Sequence, residues 1–283
     1  TAILALQNGE VDAYQMTPQQ VKKLDLDASN LSTYSYSEGR VGYLEINCNR
    51  VTDEKVRKAL LYAMDRKAMD DAAFESSEYY SIPYTFLPTN SQFYTEDGVE
   101  KYEQDVDKAK SMLEDAGVSG LKLKLGYMSS DAVQSAQALL IQEQLKEVGV
   151  TVELAGGDGT AIANAMKDPD NEYDMYLGGY IMGIDPDTFS SLFENDGAYN
   201  YMHYSGYDTI DQLFEEGRSE LDESARKETY AKLQAAVQDT GAFYPIISNN
   251  KILVVNNRIQ GVEDAGLVPV YTFEDTSSLK IAE

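Results

Sequence analysis

The sequence predicts an α/β fold, on three observations. Residues 121–127 read LKLKLGY, an apolar–polar alternation that marks a half-buried strand. Residues 131–147 carry apolar side chains at helical spacing and stop at Gly149, and residues 150–154 return to a strand pattern. A strand, a helix and a strand joined by short turns form a βαβ unit, with parallel strands and a right-handed crossover. A short helix over 161–166 and a strand over 173–177 continue the alternation.

From the N-terminus, residues 1–8 read as a helix with Ile3, Leu4 and Leu6 partly buried, and Gly9 suits a left-handed cap. Residues 10–14 read as a short strand, 18–24 as a short helix and 31–37 as a polar strand. Residues 43–69 are the most informative stretch, YLEINCNRVTDEKVRKALLYAMDRKAM. Tyr43, Leu44 and Ile46 form a β-prone run, which Asn47, Asn49 and Arg50 break. Thr52 or Asp53 can cap the first turn of the long helix that follows. Val56, Ala59, Leu60, Ala63 and Met64 share its buried face. Arg57, Asp65 and Arg66 fall at the edge of that face, either as solvated charges or in a structural ion pair.

Residues 72–98, rich in Ser and Tyr and holding Pro83 and Pro88, read as a long irregular loop. Residues 105–116 form a helix on Ala109, Met112, Leu113 and Ala116, stopped by Gly117. In the helix over 131–147 the inward residues are Val133, Ala136, Leu140 and Leu145, with Val148 just beyond. Residues 178–207 are loop-rich. Helices follow over 208–216 and 222–238, the second on Arg226, Tyr230, Leu233 and Val237, then strands over 242–247 and 252–255.

Composition sets wider bounds. At 283 residues the chain has room for one large domain or two ordinary ones. With 43% hydrophobic and 25% charged residues it has a globular balance, not a disordered one. There are 48 acidic residues against 23 basic ones, a net charge of −25. Such a surface repels phosphate, which argues against nucleic acid and anionic lipid as partners. The acidity suits the solubility of a secreted protein. The lone Cys48 permits no intrachain disulfide and no paired-cysteine zinc site, and reads as a small buried side chain. No apolar run reaches the roughly 18 residues of a spanning helix. The chain begins TAILALQNGEVDAY, without Met or a signal peptide, and reads as part of something longer with any export signal upstream.

No catalytic constellation emerges. The only histidine, His203, reads as a partly exposed loop residue without an aligned nucleophile. With 48 acids, paired carboxylates arise by chance and carry no glycosidase signal. Gly156, Gly157 and Gly159 lack the third glycine of a dinucleotide loop, due at Ile162, and suit a strand-to-helix turn. Asp168, Asp170 and Glu172 fail as a calcium loop because Tyr173 occupies the glycine position. No catalytic residue, metal or cofactor is assigned.

Ligand contact is expected at residues 178–187, GGYIMGIDPD, just past a strand end. Ligands of open α/β sheets gather at the carboxyl ends of strands, and paired glycines let a ligand approach the backbone. A tight turn with Tyr180 packed in the core is the competing account of the same residues. Tyr199, Tyr201, Tyr204 and Tyr207 cluster just after, in a chain with 21 Tyr and no Trp. They suit either a binding wall or an ordinary surface.

The run Asn47, Asp53, Val56, Arg57, Ala59, Leu60, Ala63, Asp65 and Arg66 resembles the oligopeptide/dipeptide-binding family of ABC-transporter substrate-binding proteins. The family pattern there is a strand ending in Asn, a loop, and D-x-x-V-R-x-A-L-x-x-A-x-D-R. Gly9, Glu10, Val11 and Asp12 match its G-E-(I/V)-D. Asp105, Lys108, Ala109, Lys110, Leu113, Ala116 and Gly117 match a second helix pattern, with Met112 replacing a leucine. Asn200, Tyr204 and Asp211 match a third.

The resemblance implies a periplasmic-binding-protein-like clamshell. Residues 45–247 would form one complete lobe of mixed sheet and flanking helices. Residues 1–44 and 248–283 would belong to the other lobe, truncated in this chain, with hinges near 43–47 and 245–248. It implies an extracytoplasmic location, in a periplasm or as a cell-surface lipoprotein, and capture of a peptide by lobe closure for a membrane ABC permease. A monomer is implied. The ligand-binding residues it implies, with the stretch above, are Tyr43, Gly179, Tyr180, Ile181, Gly183, Asp185, Asn200 and Tyr201. Peptide-binding members carry an aspartate for the peptide amino group where this chain has Gly183, and Asp185 with Pro186 matches the later Asp-Pro. An oligosaccharide or a metal chelate therefore stands as an alternative ligand. An acidic secreted hydrolase and a receptor or sensor subunit stand as alternative roles.

Overall fold

The computed structural model describes residues 2–74, 76–181, 185–204, 206, 208–269 and 271–282. In chain order, α1 (Ala2–Gln7), β1 (Ala13–Met16), α2 (Pro18–Val21), β2 (Leu31–Ser37) and β3 (Arg40–Ile46) come first. Next are α3 (Glu54–Tyr62), α4 (Arg66–Phe74), β4 (Tyr80–Ser81) and α5 (Val106–Asp115). The βαβ region follows as β5 (Lys122–Met128), α6 (Ala132–Glu147), β6 (Thr151–Gly157), α7 (Gly159–Ala165) and β7 (Met175–Ile181). The chain then forms α8 (Ser190–Phe193), α9 (Asp208–Ser219), α10 (Glu223–Asp239) and β8 (Phe243–Asn256), before short strand pairs near its end.

The main sheet runs β1-β8-β3-β7-β5-β6, with β2 and β4 also paired to β8. β5 is parallel to both β6 and β7, whereas β3 is antiparallel to both β7 and β8. The sheet is therefore mixed. Alternation along β3 sends its side chains to two cores. Leu44 and Ile46 pack with α3, α4, α5 and α6 on one face. Val41 and Tyr43 pack on the other face with Phe86, Leu87 and the helices α8, α9 and α10. Two smaller clusters flank the far half of β8, one holding Leu6, Met16, Val21 and Leu31, the other Tyr36 and Val262. No helix among the described residues is long and apolar enough to cross a membrane.

The local expectations for Asp53, Gly9, Gly117, Gly149 and Cys48 hold, and three further aspartates prove to be caps. Asp53, Asp105, Asp131 and Asp222 each cap a helix by accepting from a backbone N–H of its first turn. Gly9, Gly117 and Gly149 take positive φ just after helices. Cys48 is buried, and burial pushes its thiol up to about 11.

Five expectations need correction. The long helix from residue 53 is two helices, α3 and α4. The carbonyls freed at the break find tertiary donors: Ala63 O accepts from Gln104, and Met64 O accepts from the Tyr244 hydroxyl. Asp65 then caps α4 by accepting from Ala68 N at 3.1 Å. Arg57 and Arg66 are not edge charges, and among the described residues neither is ion-paired. They are 3% and 4% exposed and donate to backbone carbonyls, Arg57 to Thr240 and Arg66 to Pro245.

The face of α6 is also different. Its fully buried positions are Gln134, Gln137, Ala138, Ile141, Gln144 and Leu145, and Val133, Ala136 and Leu140 are only partly covered. The three glutamines are buried because each finds a partner, Met128 N, Asp70 and Asp65 N respectively. The strands predicted over 242–247 and 252–255 are one strand, β8. Its polar middle stays extended because β4 pairs with Ser248 and Asn249, and β2 pairs with Asn250 and Lys251. Lastly, β1 begins at Ala13 rather than residue 10, because the N–H groups of Glu10 and Val11 still bond to Ala5 O behind α1.

Candidate ligand-binding cleft

The cleft begins with a strand that outruns its neighbour. On one edge β7 pairs with β3 along its whole length, from Met175–Ile46 to Ile181–Arg40. On the other edge only Met175 and Tyr176 pair, with Leu125 and Gly126 of β5. β5 itself stays with β6 as far as Met128 and Gly157. The carboxyl ends of two parallel strands thus part company. Among the described residues no strand pairs with that edge of β7 beyond Tyr176.

A cavity of about 440 Å³ opens at this parting. Met128 of β5, Gln134 of α6, Thr160 and Asn164 of α7, and Tyr176 and Gly179 of β7 line it, with Arg40, Lys167, Tyr199 and Tyr201. It wraps the free edge of β7. Gly179 pairs with Gly42 on the face that carries Arg40, while Tyr176 pairs with Glu45 on the opposite face.

Residues 178–181, predicted as loop, are therefore strand, and the paired glycines serve two faces. A Cβ on Gly178 would lie 2.6 Å from Tyr43 Cε2, so only glycine admits that ring. A Cβ on Gly179 would lie 1.9 Å from Arg40 Nη2, so only glycine lets the guanidinium lie across it.

Tyr176, Tyr201 and Tyr199 stack edge to face, with centroids 5.6 Å and 6.5 Å apart. Behind them Glu45 is wholly buried, and among the described residues neither carboxylate oxygen has a hydrogen-bond partner. Burial holds its carboxyl well above the usual carboxylate range. Burial, then the Glu45 charge, pushes the Tyr176 hydroxyl up to about 12.

The residues singled out from sequence are distributed unevenly around this cavity. Gly179 and Tyr201 line it. Tyr43 lies behind, 5% exposed, with its ring 4.7 Å from that of Phe243. Tyr180 packs against Phe189, and its hydroxyl lies 3.1 Å from Ser191 Oγ. Ile181 ends β7 and is 53% exposed. Asp185 is held by Arg226 at 2.7 Å and accepts from Asp187 N. Burial pushes the Asp185 carboxyl up, but the Arg226 and Asp187 hydrogen bonds outweigh it and hold it below the usual range. Asn200 donates to Glu194 O at 2.9 Å and lines a neighbouring hollow with Lys167, His203 and Tyr204. His203 is a half-buried loop residue whose Nε2 lies 2.8 Å from Met166 O. Gly183 and Tyr207 lie outside the described residues.

Sequence reasoning missed Arg40, Gln134, Thr160, Asn164, Lys167 and Tyr176. The rule that ligands gather at carboxyl strand ends could have found the residues that open α6 and α7. Arg40 carries no local signal, because only the pairing of β3 with β7 brings it to the cleft.

Residues 1–201 match the family of bacterial extracellular solute-binding proteins, family 5, in its middle part. The ABC transporter substrate-binding protein CtaP of Listeria monocytogenes superposes with a TM-score of 0.92 at 37% identity, over 100% of this chain and 58% of that one. The oligopeptide-binding protein AppA of Bacillus subtilis is 25% identical over 283 residues, covering 90% of this chain and 50% of AppA. The dipeptide-binding protein of Escherichia coli is 26% identical over 231 residues, covering 78% and 42%. The chain thus spans about half the length of the curated relatives it matches.

Proposed function

The chain belongs to the bacterial extracellular solute-binding proteins of family 5, and from that premise we propose that it captures peptides, without covalent chemistry, for a membrane ABC permease. The unpaired edge of β7 beside the cavity carries this reading. An extended peptide added there would hydrogen-bond through its main chain, whatever its side chains. Gly179 lets that main chain come close, and Tyr176, Tyr199 and Tyr201 offer apolar walls with hydroxyls. The backbone of Gly179, Tyr180 and Ile181 would contact the peptide. Tyr43, Asp185 and Asn200 would hold the surrounding strands and loops.

Residues 45–247 form one lobe in this reading, and residues 1–44 and 248–283 belong to another. The separate small cores around the far half of β8 support the division. β3 and β8 cross between the two parts, which makes 43–47 and 245–248 the hinges on which the lobes close. Capture takes place outside the cytoplasm.

A thermal-shift screen of the protein with pools of short peptides, oligosaccharides and metal chelates tests this. A peptide at about 100 times its Kd adds about 2.7 kcal/mol to stability and raises Tm. A shift with sugars or chelates alone would overturn the peptide as ligand. Turnover of any pool would overturn the non-catalytic role.

A further inference from the structure

We propose that Arg40 binds a carboxylate of the captured ligand, so that the cleft selects molecules bearing an anionic group. The inference rests on the solute-capture reading and adds the charge class of the ligand.

Arginine pairing is the first observation. The chain has seven arginines. Six are engaged: Arg50 with Asp174, Arg57 with Thr240 O, Arg66 with Pro245 O, Arg218 with Asp187, Arg226 with Asp185 and Arg258 with Asp12. In a protein with 48 acids, that is the expected fate of an arginine. Among the described residues the Arg40 side chain makes neither a hydrogen bond nor an ion pair, yet the residue is half-buried in the cavity wall. Gly179 lets its guanidinium lie flat across β7 instead of extending into solvent. A guanidinium presents a planar fork of N–H donors that fits a carboxylate with two parallel bonds.

The charge of the cavity wall is the second. Arg40 and Lys167 line it, and among the described residues no aspartate or glutamate does. This reverses the sign of a chain whose net charge is −25. Charges beyond about 10 Å are largely screened, so the local wall decides what enters. Glu45, the acid behind the tyrosines, has no accessible oxygen and makes no ion pair with Arg40 among the described residues, and burial raises its carboxyl well above the usual range.

Position is the third. Arg40 is in register with Ile181, at the end of the free edge of β7. A peptide laid along that edge would bring a carboxylate, terminal or on a side chain, against the guanidinium. Both sources share one chemistry and are separable by experiment.

The experiment uses titration calorimetry on the full protein with random short-peptide pools. The pools have either a free C-terminal carboxylate or a C-terminal amide, each made with and without Asp and Glu. Wild type should bind amidated, acid-free peptides about 10- to 100-fold more weakly than the pools that keep a carboxylate, the range for a charged hydrogen-bonded pair. Loss on amidation alone points to the terminus, and loss on omitting Asp and Glu alone points to a side chain. Arg40→Gln should lower affinity for the carboxylate pools so that their advantage over the amidated, acid-free pool is lost, and Arg40→Lys should restore part of that advantage. Equal binding of all pools by wild type, or full discrimination retained by Arg40→Gln, overturns the proposal and leaves peptide capture standing. If wild type binds no peptide pool, both fall together. The wild-type comparison needs no variant to fold.

Discussion

Arg66 donates from Nε to the carbonyl oxygen of Pro245 at 2.7 Å, tying the first residue of α4 to β8. Its guanidinium lies 4.0 Å from the ring centroid of Tyr244, in a site where the side chain is 4% exposed. Truncation would strand a buried carbonyl and open a cavity under an aromatic ring. Arg66→Ala should lower unfolding free energy by about 2–4 kcal/mol. Urea denaturation reads this as a lower midpoint at unchanged slope. A loss below about 0.5 kcal/mol, the scale of an ordinary surface change, would refute the anchoring role.

Gly178 and Tyr43 form a second such pair, since a Cβ on the glycine would meet the ring at 2.6 Å. Gly178→Ala should cost about 1–3 kcal/mol by overpacking. The cost should fall but not vanish in a Tyr43→Ala background, because the same Cβ would also lie 2.9 Å from Tyr176 Cε1, and a double-mutant cycle measures the difference. Strict additivity would show that the clash is relieved elsewhere.

Asp70 sets a pH dependence. Burial pushes its carboxyl up to about 8, against the opposing Gln137 hydrogen bond and Arg66 charge. In the unfolded chain the group titrates near its ordinary ~3.9. Between those values the folded state holds a proton that the unfolded state releases, so stability falls as pH rises. The contribution is fully present below about pH 4 and is lost through about pH 8. Asp70→Asn removes the titration. The variant should gain on wild type steadily from pH 5 to about pH 8, by at most about 1.4 kcal/mol per pH unit, and level off above it. Glu45→Gln should act in the same direction, because Glu45 is raised by burial alone. Urea midpoints across pH test both, and a gap that does not change with pH would count against them.

Gly179→Ala tests the cleft. A Cβ there would lie 1.9 Å from Arg40 Nη2, the mobile end of a side chain, so the guanidinium should swing away at little cost in stability. Tm should change by less than the equivalent of about 1 kcal/mol, while affinity for peptides should fall about tenfold or more. Unchanged affinity in calorimetry would place the ligand elsewhere.

The sequence by itself determined what depends on near neighbours. Asp53 read as a cap, Asp105, Asp131 and Asp222 as helix starts, and Gly117 and Gly149 as stops, because a cap bonds within its own first or last turn. The βαβ order followed from periodicity, and the family resemblance chiefly from spaced residues between Asn47 and Arg66. The tertiary structure alone decided the rest. The break between α3 and α4 is stable because Gln104 and Tyr244 reach its carbonyls from distant parts of the chain. Gln134, Gln137 and Gln144 went inside because the buried partners they found are invisible to a hydrophobic pattern. The same holds for the cleft. Gly179 and Tyr201 were legible from a strand end and a tyrosine cluster. Arg40 was not, because its place comes from pairing with residues far along the chain, and such pairing leaves no mark on the local sequence.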